Sequence, residues 1–287
     1  MITSAFRVAE LKGYELSLVW SEHVTDHGQH FHGPFSYYFD SEFQESRPPL
    51  RGVNVRLPKP VEGYSFTLDD SIFDGHDIYV SEWTHNIFLS SDLANYSFNT
   101  LTDSYYDYLN RVTLPSVAVK SYMNQHYEID EGFDRLNFLG VHVRKGAFIG
   151  NLDHAFSNAQ AISNSLISLS TLRVLKYLNR DSVFLCGQNP QDIEEVCLWL
   201  RCFGVKLMTH STQSFPPPPM TASNSPIHSV KAVADFVTLR SSANVLSTST
   251  STFGALASLR PSNIRFIMKP DGSIAVLSTI LGSGSGI

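Results

Sequence analysis

The second half of the chain alternates between short apolar runs and longer segments in which apolar residues recur every three or four positions. Residues 136–144 and 182–186 are apolar runs of strand length, and segment 159–178 between them has helical spacing. Asn189 can cap a following helix that has Pro190 at its first position. A strand, a helix and a second strand in this order form a βαβ unit with parallel strands. The further predicted elements are strands at 205–208, 244–248 and 264–269 and helices at 229–242 and 252–259.

The pattern in the first half is weaker, and much of it predicts loop. A helix can begin after Ser4 and end before Gly13, and no strand precedes it, although an α/β domain usually starts with one. We therefore expect an α/β chain of two lobes, 1–133 and 134–287, of which the first is incomplete at its start. The predicted strands of the first lobe are 15–20, 53–57 and 77–82, and its later helices run from 103 to Pro115 and from there to about 128.

Composition narrows the class of protein. Hydrophobic residues make up 43% of the 287 residues and charged residues 17%, which excludes a disordered chain. The net charge of −6 argues against nucleic-acid binding. No apolar run approaches the ~20 residues of a membrane span. Three cysteines without a regular framework, and no secretory signal, indicate a reducing and therefore cytoplasmic location.

The strand at 136–144 ends in charged residues. The segment FLGVHVRKG starts as a buried strand and then places His142, Arg144 and Lys145 at its carboxyl end. A guanidinium is costly to bury unless an anion or a set of acceptors meets it. Open α/β sheets bind ligands at the carboxyl ends of their strands, and a guanidinium suits a phosphate. We therefore infer an anion site here.

A second polar cluster follows the strand at 244–248. The hydroxyls of STSTSTFG, residues 247–254, end a strand and open a helix, whose free N–H groups can hold an anion. Asp235 lies in the apolar helical stretch VKAVADFVTL, where its carboxylate can accept hydrogen bonds from a sugar or a base. Together these features suggest a nucleoside diphosphate, with its phosphates on Arg144 and the helix start and its base and ribose beside Asp235.

Each of these features also has an ordinary structural explanation. Arg144 can form a salt bridge within the fold, and the Ser/Thr run can be a simple helix cap. Asp235 can lie on the solvated face of its helix. What favours a ligand site is the position of all three features on one βαβ scaffold.

The order of these motifs resembles that of the GDP-fucose-dependent fucosyltransferases, the superfamily of α-1,2-, α-1,6- and protein O-fucosyltransferases. GVHVRKG (140–146) is similar to its His-x-Arg-(Arg/Lys) motif. DFVTLRSSANVLSTSTSTFGALASL (235–259) is similar to its later motif of an Asp, a short helix, a strand and Ser/Thr–Phe. SAFRVAELKGYELSLVW (4–20) resembles its first helix and second strand. The subgroup that the chain resembles most is the bacterial nodulation α-1,6 type.

The resemblance implies a GT-B-like fold of two Rossmann-like lobes that face each other across a cleft. The acceptor side is then the lobe at 1–133, and the nucleotide-sugar-binding domain is the one at 134–287. It also implies transfer of fucose from GDP-fucose to a glycan or another hydroxyl acceptor, with inversion. No metal and no other cofactor is expected, and the partners are the nucleotide sugar and the glycan acceptor.

The same resemblance assigns roles to single residues. Arg144 holds the β-phosphate and neutralises the leaving diphosphate, with His142 and Lys145 beside it. Asp235 binds the guanine or the ribose. The residues expected to line the phosphate and base pocket are Ser251, Thr252 and Phe253.

The chain departs from the family pattern at two places. Ala147 stands where the family commonly has Asp or Asn to orient the arginine, and Asp153 can replace that carboxylate. The Gly-rich loop after the family's first strand is expected before residue 1. Both departures favour an alternative, a catalytically weakened protein that binds a nucleotide sugar or a glycan. A related transferase that uses another nucleotide sugar is the other alternative.

A histidine-rich segment, residues 22–33, is a second candidate for chemistry. Imidazoles at such spacing can bind Zn²⁺. No strict ligand motif is present, so a polar loop on the acceptor side is the favoured interpretation. The histidines concerned are His23, His27, His30 and His32.

Overall fold

The structure is a computed structural model of the chain, and it divides into two compact units. One unit comprises residues 1–21 and 34–114, and the other comprises residues 22–33 and 115–287. Helices and mostly parallel strands alternate through the second unit, so the α/β class expected from the sequence is confirmed. The residues that the structure describes are 9–11, 13, 34–40, 53–55, 65–68, 78–80, 86–89, 106–144, 162–187, 189–211, 226–248, 252–258, 264–277 and 285–286.

The first unit contains short parallel strand pairs. Its strands are β1 (Val53–Val55), β2 (Ser65–Leu68), β3 (Ile78–Val80) and β4 (Asn86–Leu89). β1 pairs with β3 and β2 pairs with β4, in both cases parallel. The predicted strands around β1 and β3 are thereby confirmed, whereas β2 and β4 lie where the sequence predicted loop. The predicted strand at 15–20 lies outside the described residues.

The described helical residues of the first unit agree with its predicted first helix. Residues 9–11 are helical, and Gly13 has a φ of 70°, a left-handed conformation that commonly ends a helix. Glu10 forms an ion pair with Arg111 at 3.1 Å and accepts a hydrogen bond from the Tyr108 hydroxyl. Helix α1 (Phe35–Tyr38) is a single turn whose Phe35 and Tyr38 are buried.

The second unit contains a mixed sheet, which has eight strands in the described residues. The strands are β5 (Tyr127–Ile129), β6 (Leu139–Val143), β7 (Ser182–Gly187), β8 (Lys206–His210), β9 (Asn244–Thr248), β10 (Arg265–Met268), β11 (Ile274–Leu277) and β12 (Ser285–Gly286). Their order in the sheet is β12-β11-β10-β9-β6-β7-β8-β5. The five central strands, β10 to β8 in that order, are parallel, and the outer strands are antiparallel.

The helices of this unit begin and end near their predicted bounds. The Asn189 side chain accepts a hydrogen bond from Gln191 N–H and caps the helix that starts at Pro190, as the sequence indicates. Gly204, with a φ of 76°, follows the end of that helix. No helix in the described part of the chain is long and apolar enough to cross a membrane. The helices are α2 (Val117–His126), α3 (Asn164–Leu178), α4 (Pro190–Cys202), α5 (Pro226–Ser241) and α6 (Thr252–Ala257).

The two faces of the sheet carry different side chains. On one face, alternate apolar residues of the parallel strands pack with α3 and α4 as the core. On the other face α5 lies very close to β6: a Cβ added at Gly140 would stand 2.9 Å from Leu239 Cδ2 of that helix. Among the core residues of the first face are Leu139, Val141, Val143, Val183, Leu185, Leu207, Leu246 and Phe266.

Segment 115–133 belongs to the second unit. The sequence places it at the end of the first lobe, which was expected to run to residue 133. In the structure α2 packs on α5, and β5 pairs antiparallel with β8 at the edge of the large sheet. The helix predicted to reach residue 128 ends at His126, because the chain turns there into β5.

Candidate functional site

Arg144 follows directly on β6, at the carboxyl end of the parallel strands. Its backbone N–H donates to Thr248 Oγ1 at 3.1 Å, and the same hydroxyl donates to the Arg144 carbonyl at 2.9 Å. Thr248 is the last residue of β9 and is almost completely buried. The end of β9 therefore fixes the backbone from which the guanidinium extends.

His142 lies on β6, two residues before Arg144. Its ring contacts the ring of Phe253. The centroids of the His142 and Phe253 rings are 4.9 Å apart, and Phe253 in turn packs on Phe236 at 5.5 Å. The pKa of His142 is lowered to about 4, mainly by burial and also by the positive charges of Arg144 and Lys231, while Asp235 opposes these effects. His142 is therefore a neutral imidazole at pH 7.

Asp235 is a residue of α5, and its side chain is buried, with 7% of it exposed. Its Oδ1 hydrogen bonds with His210 Nε2 at 2.5 Å and accepts from the Tyr127 hydroxyl at 3.2 Å. Its Oδ2 accepts from Lys231 Nζ at 2.7 Å. Asp235 is thus neither on a solvated helix face nor without partners, because both oxygens are held by side chains of the chain itself.

The hydrogen bonds around His210 define its protonation. Burial lowers the pKa of His210, although the Asp235 carboxylate opposes this, so the ring is neutral at pH 7. With Nε2–H donating to Asp235, the Nδ1 atom is left as the acceptor for the Tyr122 hydroxyl, 3.5 Å away. Burial acts to raise the pKa of Asp235, but His210 and Lys231 outweigh it and hold that pKa well below its usual range.

A polar row crosses the sheet beneath α5. The register places His142 on β6 opposite Ser247 on β9 and opposite Cys186 on β7. The Ser247 hydroxyl is buried and has no hydrogen-bond partner among the described residues. Burial raises the pKa of the Cys186 thiol, so this residue stays protonated and is no nucleophile.

The structure brings four of the predicted site residues into one region of the second unit: His142, Arg144, Asp235 and Phe253. Thr252 is the first residue of α6, and its side chain is not among the described ones. Two predicted site residues, Lys145 and Ser251, lie outside the described residues, as do Ala147, Asp153 and the histidines of 22–33.

Three residues of this site were not predicted: Lys231, His210 and Tyr127. Lys231 stands four residues before Asp235, a spacing that pairs opposite charges on a helix and could have been recognised in the sequence. His210 and Tyr127 meet only because β5 pairs with β8, with Tyr127 opposite His210. No local sequence pattern predicts that contact, since β5 has three residues and is too short to be recognised as a strand.

The described part of the chain contains no candidate metal-binding site. No group of three or more His, Cys, Asp or Glu side chains there could hold a metal ion. Among the described residues of this region, Arg144 and Lys231 carry positive charge, and Lys231 is paired with Asp235. Beside them lie the neutral rings of His142 and Phe253.

Comparisons with known proteins identify the fold. No protein-family model and no curated protein matches the chain. Among solved structures, the fucosyltransferase NodZ from Bradyrhizobium matches with a TM-score of 0.54 and 16% identity, over 96% of this chain and 92% of that one. NodZ α-1,6-fucosyltransferase co-crystallised with GDP matches with 0.53 and 15%, over 97% and 92%. The same enzyme soaked with GDP-fucose matches with 0.50 and 16%, over 97% and 93%.

The chain therefore has an α/β, GT-B-like fold with a polar, cationic site at the carboxyl edge of a parallel sheet. More particularly, it has the fold of the NodZ fucosyltransferases over nearly its whole length. This confirms, for the fold, the resemblance that the motifs at 140–146 and 235–259 indicate.

Proposed function

We propose that the protein is a glycosyltransferase that transfers fucose from GDP-fucose to a hydroxyl group of a glycan or similar acceptor. One observation carries the proposal: Arg144 stands at the carboxyl end of β6, fixed by Thr248, in a chain with the NodZ fold. Ligands of open α/β sheets bind at this edge. The structures of similar fold include a complex with GDP and a crystal soaked with GDP-fucose.

Arg144 would act on the leaving group. In an inverting transfer the acceptor oxygen bonds to the anomeric carbon as the bond from that carbon to the β-phosphate oxygen breaks. Negative charge then grows on the diphosphate. A fixed guanidinium aimed at that charge lowers the barrier by about 3–4 kcal/mol, the effect of one well-placed donor. No metal is required for this step in the proposal.

His142 and Phe253 would receive the base. Their rings provide an uncharged, largely apolar surface, because His142 is neutral at pH 7. A flat base can pack on such rings, and aromatic contacts of this kind contribute about 0.5–1.5 kcal/mol beyond the area that they bury. Lys145, Ser251 and Thr252 complete the proposed site from the sequence pattern, next to the phosphates.

Asp235 would act mainly through its partners. Its carboxylate hydrogen bonds with Lys231 on the same helix and with His210 on β8. The contact with guanine or ribose that the family pattern implies would have to be made beside these partners. Asp235 is therefore proposed as the residue that organises the base side of the pocket.

A cytoplasmic location is part of the proposal. Cys186, Cys197 and Cys202 are free cysteines. Two of them are buried, and none forms a disulfide, as is usual in a reducing compartment.

The experiment is a transfer assay with GDP-fucose and a panel of glycan acceptors, in which the release of GDP is measured. GDP release that depends on acceptor, and that Arg144→Ala abolishes, is the expected result. Release from another nucleotide sugar but not from GDP-fucose would favour a related transferase. GDP binding without release from any donor would favour the weakened binding protein.

A further inference from the structure

Helix α4 carries an exposed apolar patch at its carboxyl end. Leu198, Trp199 and Phe203 are 59%, 45% and 59% exposed, although another side of the same helix is buried in the core. Single exposed apolar residues are ordinary on a protein surface. Here Trp199 and Phe203 are four positions apart and Leu198 directly precedes Trp199, so the three share one end of the helix. Apolar residues that are grouped in this way are typical of a contact surface.

Charged residues border this patch on both sides along the helix. Glu194, Leu198 and Arg201 are four and three positions apart, which places them on one stripe of α4. Glu194 is exposed, and its side chain forms no hydrogen bond or ion pair with another described residue. Along the helix the stripe therefore presents an acid, an apolar residue and a base.

Arg201 can bind a second carboxylate beside Asp130. Its Nε and Nη2 donate to Asp130 at 3.2 Å and 3.0 Å, and its side chain is 42% exposed. A guanidinium has five N–H donors, and those on Nη1 form no hydrogen bond within the described part of the chain. The pairing with Asp130 also fixes the direction of the guanidinium, which favours a further ion pair.

A stripe with this order of residues is complementary to itself. When two copies of α4 pack antiparallel about a two-fold axis at Leu198, the two Leu198 side chains meet at the axis. Glu194 lies ~6 Å from Leu198 along the helix, and Arg201 lies ~4.5 Å from it in the other direction. Each Glu194 is then opposite Arg201 of the other copy, within the reach of two long side chains. Trp199 and Phe203 would flank this contact.

We propose that α4 is the interface of a homodimer, in which Leu198 packs on its counterpart and Glu194 pairs with Arg201 of the second copy. The two-fold axis forms this ion pair twice. It also favours the antiparallel over the parallel arrangement of the helices, in which equal charges would meet. The interface contains none of the residues assigned to the nucleotide site. The dimer is therefore expected whether or not the chain transfers fucose.

The oligomeric state of charge variants tests the proposed pair. Sedimentation velocity at several concentrations would measure the dimer Kd of the full chain. Wild type should dimerise, and Glu194→Arg and Arg201→Glu should each weaken the dimer tenfold or more, because equal charges then face each other twice. Leu198→Glu places two carboxylates at the axis and should leave only monomer.

An equimolar mixture of the two charge variants gives the sharpest readout. In a mixed pair the introduced arginine of one chain faces the introduced glutamate of the other, and the unchanged Glu194 and Arg201 face each other. The mixture should therefore dimerise with a Kd near that of wild type, although neither variant does so alone. A mixture that stays as monomeric as its components would overturn the proposal.

Matched substitutions on α3 separate this surface from a general effect of charge. Leu169→Glu and Arg173→Glu change an exposed leucine and an exposed arginine of that helix. Both should leave the dimer Kd unchanged. A loss of dimer in these variants equal to that in the variants of α4 would contradict the assignment of the interface to α4.

Folding is checked by thermal unfolding of every variant, because Arg201→Glu also loses the pair with Asp130. Glu194 and Leu198 are exposed, so Glu194→Arg and Leu198→Glu decide the matter if Arg201→Glu does not fold. A wild-type chain that is monomeric at all concentrations would refute the proposal. So would a dimer that both of these variants leave intact.

Discussion

The Thr248 hydroxyl makes two hydrogen bonds with the backbone of Arg144: it accepts from the Arg144 N–H and donates to the Arg144 carbonyl. A single buried hydroxyl thus joins the carboxyl ends of β6 and β9, the two strands that carry the two polar motifs of the sequence. The pairing explains why a residue with a hydroxyl group stands at this position, since serine can make the same hydrogen bonds and valine cannot.

Thr248→Val should therefore impair nucleotide binding without touching the nucleotide. It removes the two hydrogen bonds between the Thr248 hydroxyl and the Arg144 backbone, at a cost of about 1–3 kcal/mol in the free energy of unfolding. GDP affinity should fall as well, because the guanidinium loses its fixed base. Denaturant unfolding and calorimetry measure the two effects. Thr248→Ser is the control, and equal GDP affinity in Thr248→Val and Thr248→Ser would show that this anchor does not position Arg144.

His142 makes stability depend on pH in a defined window. Its pKa of about 4 in the fold lies below the ordinary value of 6.5 because the ring is buried. The unfolded chain therefore binds more protons between those values, and stability is lost as pH falls from 6.5 to 4. The contribution is of the order of 2–3 kcal/mol.

His142→Gln removes this contribution and keeps a neutral, polar side chain. The free energy of unfolding, measured by urea at several pH values, should fall less steeply from pH 6.5 to 4 in the variant than in wild type. The remaining slope would come from other groups, among them His210, whose pKa is also lowered. Parallel curves for the two proteins over this window would mean that His142 is not held neutral by burial.

Transfer should proceed without a divalent metal. The expectation rests on the guanidinium of Arg144, which can neutralise the leaving diphosphate itself. Fucose transfer in the presence of excess EDTA should match transfer in untreated buffer. Loss of activity with EDTA and recovery with Mn²⁺ would contradict this and direct attention to the histidines of residues 22–33.

The sequence alone predicted the second unit well, for a physical reason. Parallel strands buried on both faces are continuous apolar runs, and the helices between them have caps such as Asn189–Pro190. The bounds of β7, β9 and α4 follow from these signals. The candidate site residues His142 and Arg144 stand out in the sequence because polar and charged groups at the end of an apolar strand are conspicuous.

The partners of Asp235 could not be found in the same way. A single acidic residue in an apolar helix is compatible with a solvated face, a ligand contact or a buried ion pair. Only the pairing of β5 with β8 places Tyr127 and His210 beside it. β5 has three residues and continues directly from α2, so its alternation is too short to be recognised against a helical pattern.

GDP binding by wild type and by Arg144→Ala, measured by calorimetry, tests the central claim most directly. Wild type should bind GDP and bind UDP more weakly. Arg144→Ala should lose at least about 2 kcal/mol of GDP binding, because a charged phosphate contact disappears. The matched control is Arg173→Ala, on an exposed arginine of α3, which should bind as wild type does. Equal GDP affinity in Arg144→Ala and wild type would contradict the assignment of the diphosphate to the carboxyl end of β6.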